Sequence, residues 1–261
     1  MSAILLQIKD QVGYLTMNRA ELHNAFDAAL IKELTAQIDA ISRKAEVRVL
    51  VLTGAGSSFS AGADLNWMRT QQQATAAENL NDARALAQLM RTLAFCSKPT
   101  IASVNGQAFG GGVGLMACCD IVISVDSAKF GLTESKLGLA PAVISPYVIA
   151  AIGQRQAMRY FQSAEIFSAE RAFQLGLIHE LCSAENLDAT LIRQLKLLKT
   201  AGPNALKACK QLVHRVSGRS IESQMLIDEE NAQLIARLRT SAEGIEGLSA
   251  FLEKRKAAFV D

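Results

Sequence analysis

An α/β fold with a helical C-terminal extension follows from three features of the sequence. Short β-branched runs recur at 47–52, 99–104 and 121–125. Each run passes into a turn rich in glycine or Asp/Ser, and helix-period segments lie between them. Beyond residue 182 the strand signal stops, and four helical segments follow in succession.

Taken in order, residues 4–8 and 12–17 predict an opening hairpin across 9–11. Residues 26–44 place apolar side chains at 26, 30, 31, 34, 38 and 41, which is helical spacing. The run Val47-Arg48-Val49-Leu50-Val51-Leu52 predicts a buried strand ended by Gly54 and Gly56, and residues 99–104 a second, closed by Asn105-Gly106. Residues 121–125 predict a third, turning at Asp126-Ser127. The C-terminal helices are expected over 185–199, 203–216, 220–238 and 241–258, with Pro203 in a first turn and Ser241 as a cap.

Composition narrows the function classes. In a chain of 261 residues, 27 Lys+Arg against 25 Asp+Glu leave a net charge of +2. That lacks the basic footprint of a nucleic-acid binder. A chain of this length buries roughly three quarters of its unfolded surface and needs no disulfide or metal staple. Five cysteines without a C-x-x-C pair fit reduced thiols and a cytoplasmic location. His23, His179 and His214 are scattered, without zinc-site spacing, so they are expected to be packing or surface residues and no metal is expected. Lys9 and Asp10 interrupt the apolar N-terminal stretch before it reaches the length of an export signal, and residues 108–119 are too short to span a membrane.

Two segments share one design of strand, glycine turn and helix start: 51–54 leading to 59–65, and 102–106 leading to 109–114. Helix starts expose unpaired N–H groups beside the positive end of the dipole. Two such groups converging on one oxygen form an oxyanion hole, worth about 3–4 kcal/mol per donor in a transition state. Tight turns and close packing explain such glycines equally well. Residues 112–117 also match the dinucleotide fingerprint G-x-G-x-x-A, with Glu134 about twenty residues on. The strand at 121 begins too soon after Gly114 for a full crossover helix, which disfavours a nucleotide site. Glu134, flanked by Gly131, Leu132, Leu137 and Leu139, has two readings: a general acid–base in an apolar pocket, or a first-turn glutamate beside a Thr133 cap.

In combination, F-S-A-G-A-D-L (59–65), N-G-Q-A-F-G-G-G (105–112), C-D (119–120) and F-G-L-T-E-S-K-L-G-L (130–139) resemble the crotonase family of enoyl-CoA hydratases and isomerases. The resemblance runs on through A-I-G (151–153), 172–180 and 243–255. It implies an α/β spiral of ββα units: an acyl-CoA-binding core over 1–198 and a C-terminal helical assembly region over 199–261, forming a homotrimer or a dimer of trimers. It places the oxyanion hole on the N–H groups of Ala61 and Gly111 and the acid–base on Glu134. It sets Leu22, Ala25, Ala63, Asp64, Leu65, Gly110 and Gly114 beside substrate or CoA. Phe251 and Lys254 would cover adenine and phosphates from a neighbouring subunit, or else serve as a packing aromatic and a solvated lysine. Coenzyme A is part of the substrate and no separate cofactor is implied.

The sequence departs from two-carboxylate hydratases at Gly114, where those enzymes carry a glutamate. One carboxylate suits isomerisation, so an isomerase is an alternative, as is a non-catalytic acyl-CoA-binding trimer. The stretch 137–148, with Arg159-Tyr160-Phe161, Cys118-Cys119 and V-G-L (113–115), is similar to the bacterial 3-methylglutaconyl-CoA hydratase group. That implies hydration of a branched, carboxylated enoyl-CoA, in which Gly114→Glu would raise activity on straight-chain substrates. Trp67, Met68, Tyr147 and Arg159 either line the distal pocket or serve in packing, and Arg159 either meets a substrate carboxylate or, by default, stays exposed on its helix.

Overall fold

Ile4–Lys9 (β1) and Val12–Met17 (β2) pair antiparallel, as the sequence predicts, with Ile4 opposite Met17. The computed structural model describes residues 2–261. Strand β2 passes its outer edge to Val49–Gly54 (β3) in parallel, and Ser58–Ser60 (β4) then leaves for a second sheet. The same step recurs twice: Thr100–Val104 (β5) with Gln107–Phe109 (β6), then Ile121–Val125 (β7) with Lys129–Gly131 (β8). Adding Phe167–Ser168 (β9) and Glu180–Cys182 (β10) gives sheet orders β1-β2-β3-β5-β7-β10 and β4-β6-β8-β9. Each long strand thus feeds a three-residue partner in the small sheet before the chain turns into helix.

Alternation divides the large sheet between two apolar layers. Val12, Val49, Val51, Ile101 and Ile123 meet Leu191 and Leu195 of helix Leu187–Thr200 (introduced below as α7). Leu15, Met17, Leu50, Leu52 and Ala102 face the main core instead. Helix Ala28–Arg43 (α1) starts two residues later than the apolar spacing suggests, because Asp27 accepts from Leu30 N at 2.8 Å and caps it. Phe26 is left outside, bridged to Ala63.

Leu65–Gln73 (α2) begins where the first glycine turn predicts. Ala76–Ala94 (α3) follows it; its start is a capping box of Thr75 and Glu78. Gly111–Cys118 (α4) is only eight residues long, which agrees with the exclusion of a full crossover helix. Ser145–Ser163 (α5) is broken at Gly153, whose φ of 77° is left-handed. After Ala169–Gln174 (α6), the C-terminal helices are Leu187–Thr200 (α7), Pro203–Val216 (α8), Ile221–Arg239 (α9) and Ala242–Leu252 (α10). The last ends six residues earlier than expected. Helix α9 lies on α3, tied by the Arg91–Asp228 and Arg84–Glu229 ion pairs. No helix among the described residues is long and apolar enough to cross a membrane.

Candidate active site

The two glycine turns and the Glu134 segment, far apart in sequence, line one cleft. Its walls include Phe26, Ala63, Trp67, Met68, Gly110, Gly111, Glu134, Ile144 and Arg239. Parallel pairing brings them together, since β4, β6 and β8 end side by side in the small sheet. Glu134 and Arg239 are the only charged residues lining the cleft among the described residues.

Hydrogen-bond accounting decides which N–H groups face a ligand. The Ala61 N–H donates to the His23 carbonyl at 2.9 Å, so it is spent within the fold and corrects the expected oxyanion donor. Gly62 and Asp64 exchange bonds with Phe26 on either side of Ala63: Phe26 N donates to Gly62 O at 2.6 Å and Asp64 N to Phe26 O at 2.8 Å. Ala63, between them, has an N–H with no acceptor among the described residues, and it lines the cleft. Gly111 occupies the first turn of α4, where N–H groups have no intrahelical partner, and its own is likewise without an acceptor. Ala63 and Gly111 therefore offer the donor pair. Gly111 must be glycine because a Cβ there would stand 2.6 Å from Phe26 Cε2.

The loop below the first turn is fixed by Asn24, a fully buried residue that the sequence reading did not single out. Its Nδ2 donates to Ala55 O at 2.9 Å and Ser58 O at 2.8 Å, and its Oδ1 accepts from Arg19 N. His23 and Asn24 are both left-handed, with φ of 50° and 55°, which turns the His23 carbonyl toward Ala61. The adjacent His23-Asn24 pair, residue types enriched at positive φ, was the available signal.

Glu134 opens a 3-10 turn, Glu134–Leu137, closed by left-handed Gly138. Thr133 makes no capping bond to it, so the capping reading is not what the structure shows. Glu134 Oε2 is buried without a hydrogen-bond partner. Burial among Phe109, Leu137, Leu139 and Pro141 raises its pKa to about 7, against a small opposing effect from its own backbone N–H. Glu134 Oε1 stands 3.0 Å from where a Gly110 Cβ would be, and Gly110 has a φ of 49°. The turn is held from behind by α10: a Cβ on Gly247 would lie 2.4 Å from the Leu137 carbonyl carbon.

Several expected contacts lie elsewhere. Asp64 is buried and structural: Oδ1 caps α2 through Asn66 N and Trp67 N, and Oδ2 pairs with Arg19 at 3.2 Å. Both of its oxygens are engaged within the fold. Gly114 is inside the core, packed on Ile144, and does not line the cleft. Leu22 and Leu65 are exposed and Ala25 is buried; none of the three lines the cleft. Phe251 is half exposed, and Lys254 follows it in a left-handed turn, both away from this chain's own cleft. Trp67 and Met68 line the cleft as expected, whereas Tyr147 is buried behind α4. Arg159 is on the surface, bound to Glu165 at 2.6 Å, which is the exposed helical arginine of the default reading and not a lining residue. The cationic lining residue is Arg239, whose signal in the sequence was only a basic helix end.

His179 accepts from Val122 N and His214 stacks on Phe95, both as packing residues. No cluster of three or more His, Cys, Asp or Glu among the described residues is arranged to hold a metal. A separate groove beside α8, lined by Lys207, Lys210, His214, Arg215 and Arg219, contains neither a glycine turn nor a carboxylate.

Comparison with known proteins shows the family to which the chain is similar. The family model described as enoyl-CoA hydratase/isomerase matches residues 7–261. The 2,3-dehydroadipyl-CoA hydratase of Escherichia coli is 34% identical over 263 residues, covering 99% of each chain. The 1,2-epoxyphenylacetyl-CoA isomerase of the same organism is 33% identical, covering 99% of this chain and 98% of its own. A crystal structure from Legionella pneumophila, described as an enoyl-CoA hydratase/isomerase of the crotonase type, has a TM-score of 0.81 at 45% identity, covering 98% of both chains.

Proposed function

The chain belongs to the enoyl-CoA hydratase/isomerase family, and from that premise we propose that it adds water across the C2=C3 bond of a branched, carboxylated enoyl-CoA of the 3-methylglutaconyl-CoA kind. The observation that carries this reading is one unpartnered carboxylate, Glu134, in the same cleft as two unpartnered N–H groups, Ala63 and Gly111. The thioester carbonyl oxygen sits between those two donors. Glu134 removes a proton from water as the water oxygen bonds to C3. The π electrons move through C2 onto the thioester oxygen, and the enolate's charge is held by Ala63 and Gly111. Glu134 then returns the proton to C2, which restores the thioester and the carboxylate. A carboxyl group with a pKa about 7 is suited to both transfers at neutral pH.

CoA itself would run outward past exposed Leu22 and Leu65, with Phe251 and Lys254 of a neighbouring subunit over its adenine and phosphates. A homotrimer, or a dimer of trimers, is supported by the apolar side chains that α8 and α9 leave exposed, among them Val213, Val216 and Leu226. Residues 199–261 supply these helices to the assembly, and the free cysteines accord with a cytoplasmic enzyme. CoA arrives with the substrate, and the chemistry requires no other cofactor.

Isomerisation is the second reading, favoured by a specific feature: Gly114 is sealed by Ile144, so a single carboxylate is present. Product analysis with 3-methylglutaconyl-CoA, crotonyl-CoA and a 3-enoyl-CoA separates the two. Hydration of the first without isomerisation of the last supports the proposal. The opposite pattern assigns the site to isomerisation, and no turnover of any of them assigns a binding protein.

A further inference from the structure

Arg239 is the last residue of α9, and its side chain lines the cleft beside Trp67, Gln71, Leu86 and Leu248. Its only hydrogen bond among the described residues is a long one, 3.5 Å from Nη1 to the Asn79 carbonyl. No carboxylate pairs with it within 4.0 Å among the described residues; Asp82 is the one acid whose field reaches it, and Asp82 accepts from Gln71 Nε2. Glu134 is not its counter-ion: the two make no ion pair within 4.0 Å, and Glu134 Oε2 has no hydrogen-bond partner. Burial around the guanidinium draws its pKa down from the usual arginine value to about 10.

A partly buried cation with unused donors, in a cleft whose one carboxylate does not pair with it, calls for an anion. Lysine would meet it as a point charge, whereas the planar fork of arginine matches a carboxylate through two parallel bonds. We infer that Arg239 selects the acyl group by receiving the distal carboxylate of an enoyl-CoA thioester of a dicarboxylic acid, on a wall of the cleft away from Glu134. The inference rests on the hydration reading above and names the residue that would give it its substrate class. Neutral enoyl-CoAs leave the guanidinium unpaired and bind less well. The reacting end is unchanged between the two kinds of substrate, so the discrimination appears chiefly in KM.

The test uses the full chain, wild type against Arg239→Gln and Arg239→Lys. Hydration rates are measured with glutaconyl-CoA and hex-2-enedioyl-CoA beside crotonyl-CoA and hex-2-enoyl-CoA. Arg239→Gln is expected to lower kcat/KM for the two carboxylated substrates by on the order of 100-fold, and to change the neutral pair less than about threefold. Arg239→Lys is expected to fall between. An equal loss on both pairs, or no loss on either, overturns the inference. Binding of the saturated analogues glutaryl-CoA and butyryl-CoA, followed by calorimetry on the same proteins, gives a readout independent of turnover. Should the wild type hydrate none of the four substrates, the hydration reading fails. In that case a preference for glutaryl-CoA that Arg239→Gln abolishes still supports Arg239, and the absence of any such preference overturns it.

Discussion

Gly114 and Ile144 occupy one space: a Cβ on Gly114 would stand 2.3 Å from Ile144 Cγ2 and 3.2 Å from Met90 Cε. The helix interior would ordinarily gain up to about 1 kcal/mol from Gly→Ala. Here the clash decides the sign, because a buried side chain and α4 must both shift to admit one methyl group. Gly114→Ala is expected to destabilise the fold by about 1–3 kcal/mol, read as a lower denaturation midpoint in urea. Gly114→Glu does worse, since its carboxylate would be driven into the core among Ile144 and Met90. It is expected to lose soluble, folded protein and to gain no activity on straight-chain enoyl-CoAs. The expectation from sequence that this variant would restore a second acid is thereby reversed.

Glu134 carries the chemistry, and its removal should leave binding in place. Glu134→Gln keeps the side-chain volume beside Gly110 while abolishing proton transfer. The expected result is a fall in kcat of about 10²–10⁴-fold, with acyl-CoA affinity by calorimetry close to wild type. Substantial hydration by the variant would remove Glu134 from the mechanism.

The raised pKa of Glu134 sets two opposite pH dependences. As the base toward water it must be ionised, so kcat/KM should fall about tenfold per pH unit below pH about 7. Stability runs the other way. The folded value exceeds the ordinary glutamate value of 4.5, so the native state binds the extra proton between the two. The stabilisation is present below about 4.5 and is lost as pH rises through about 7. Relative to wild type, Glu134→Gln should therefore gain stability between these limits, measured by paired urea titrations at several pH values. A flat difference across that range would contradict the buried-carboxylate account.

The sequence made the large sheet legible because five of its six strands are apolar runs of five or six residues. Residues 121–125 and 203–216 have the same limits in the structure as in the sequence reading. The small sheet was not visible, since strands of three residues such as 58–60, 107–109 and 129–131 are shorter than any periodicity can mark. Helix α3 escaped notice because its buried face includes Asn79, Ala83, Ala87 and Ala94, which give a weak apolar period. Glu134 and Gly111 were pointed to by the family resemblance, and the fold brings both to one cleft. Spacing could not separate Ala61 from Ala63, because both follow the same strand, and only the partner of each N–H distinguishes them. Arg239 was hidden for another reason: its neighbours in the cleft come from α2, α3 and α10, which the chain order does not place together.

The C-terminal helix supports the catalytic turn through two glycine contacts, which makes stability and activity separable. Gly247 lets α10 lie against Leu137, and Gly138, with a φ of 66°, passes 2.6 Å (from its Cβ position) under the Glu243 carbonyl. Gly247→Val is expected to push α10 off the 134–137 turn without touching Glu134, Ala63 or Gly111. Because α10 packs on α2 and the turn rather than on the large sheet, the global loss should be modest, about 1–3 kcal/mol. Displacement of the carboxylate by even 1 Å costs on the order of 100-fold in rate. The expected signature is thus a kcat that falls far more than the denaturation midpoint, together with faster amide exchange confined to residues near 134–139 and 242–252. Equal protection in those segments, with kcat preserved, would show that the turn holds its shape without the helix behind it.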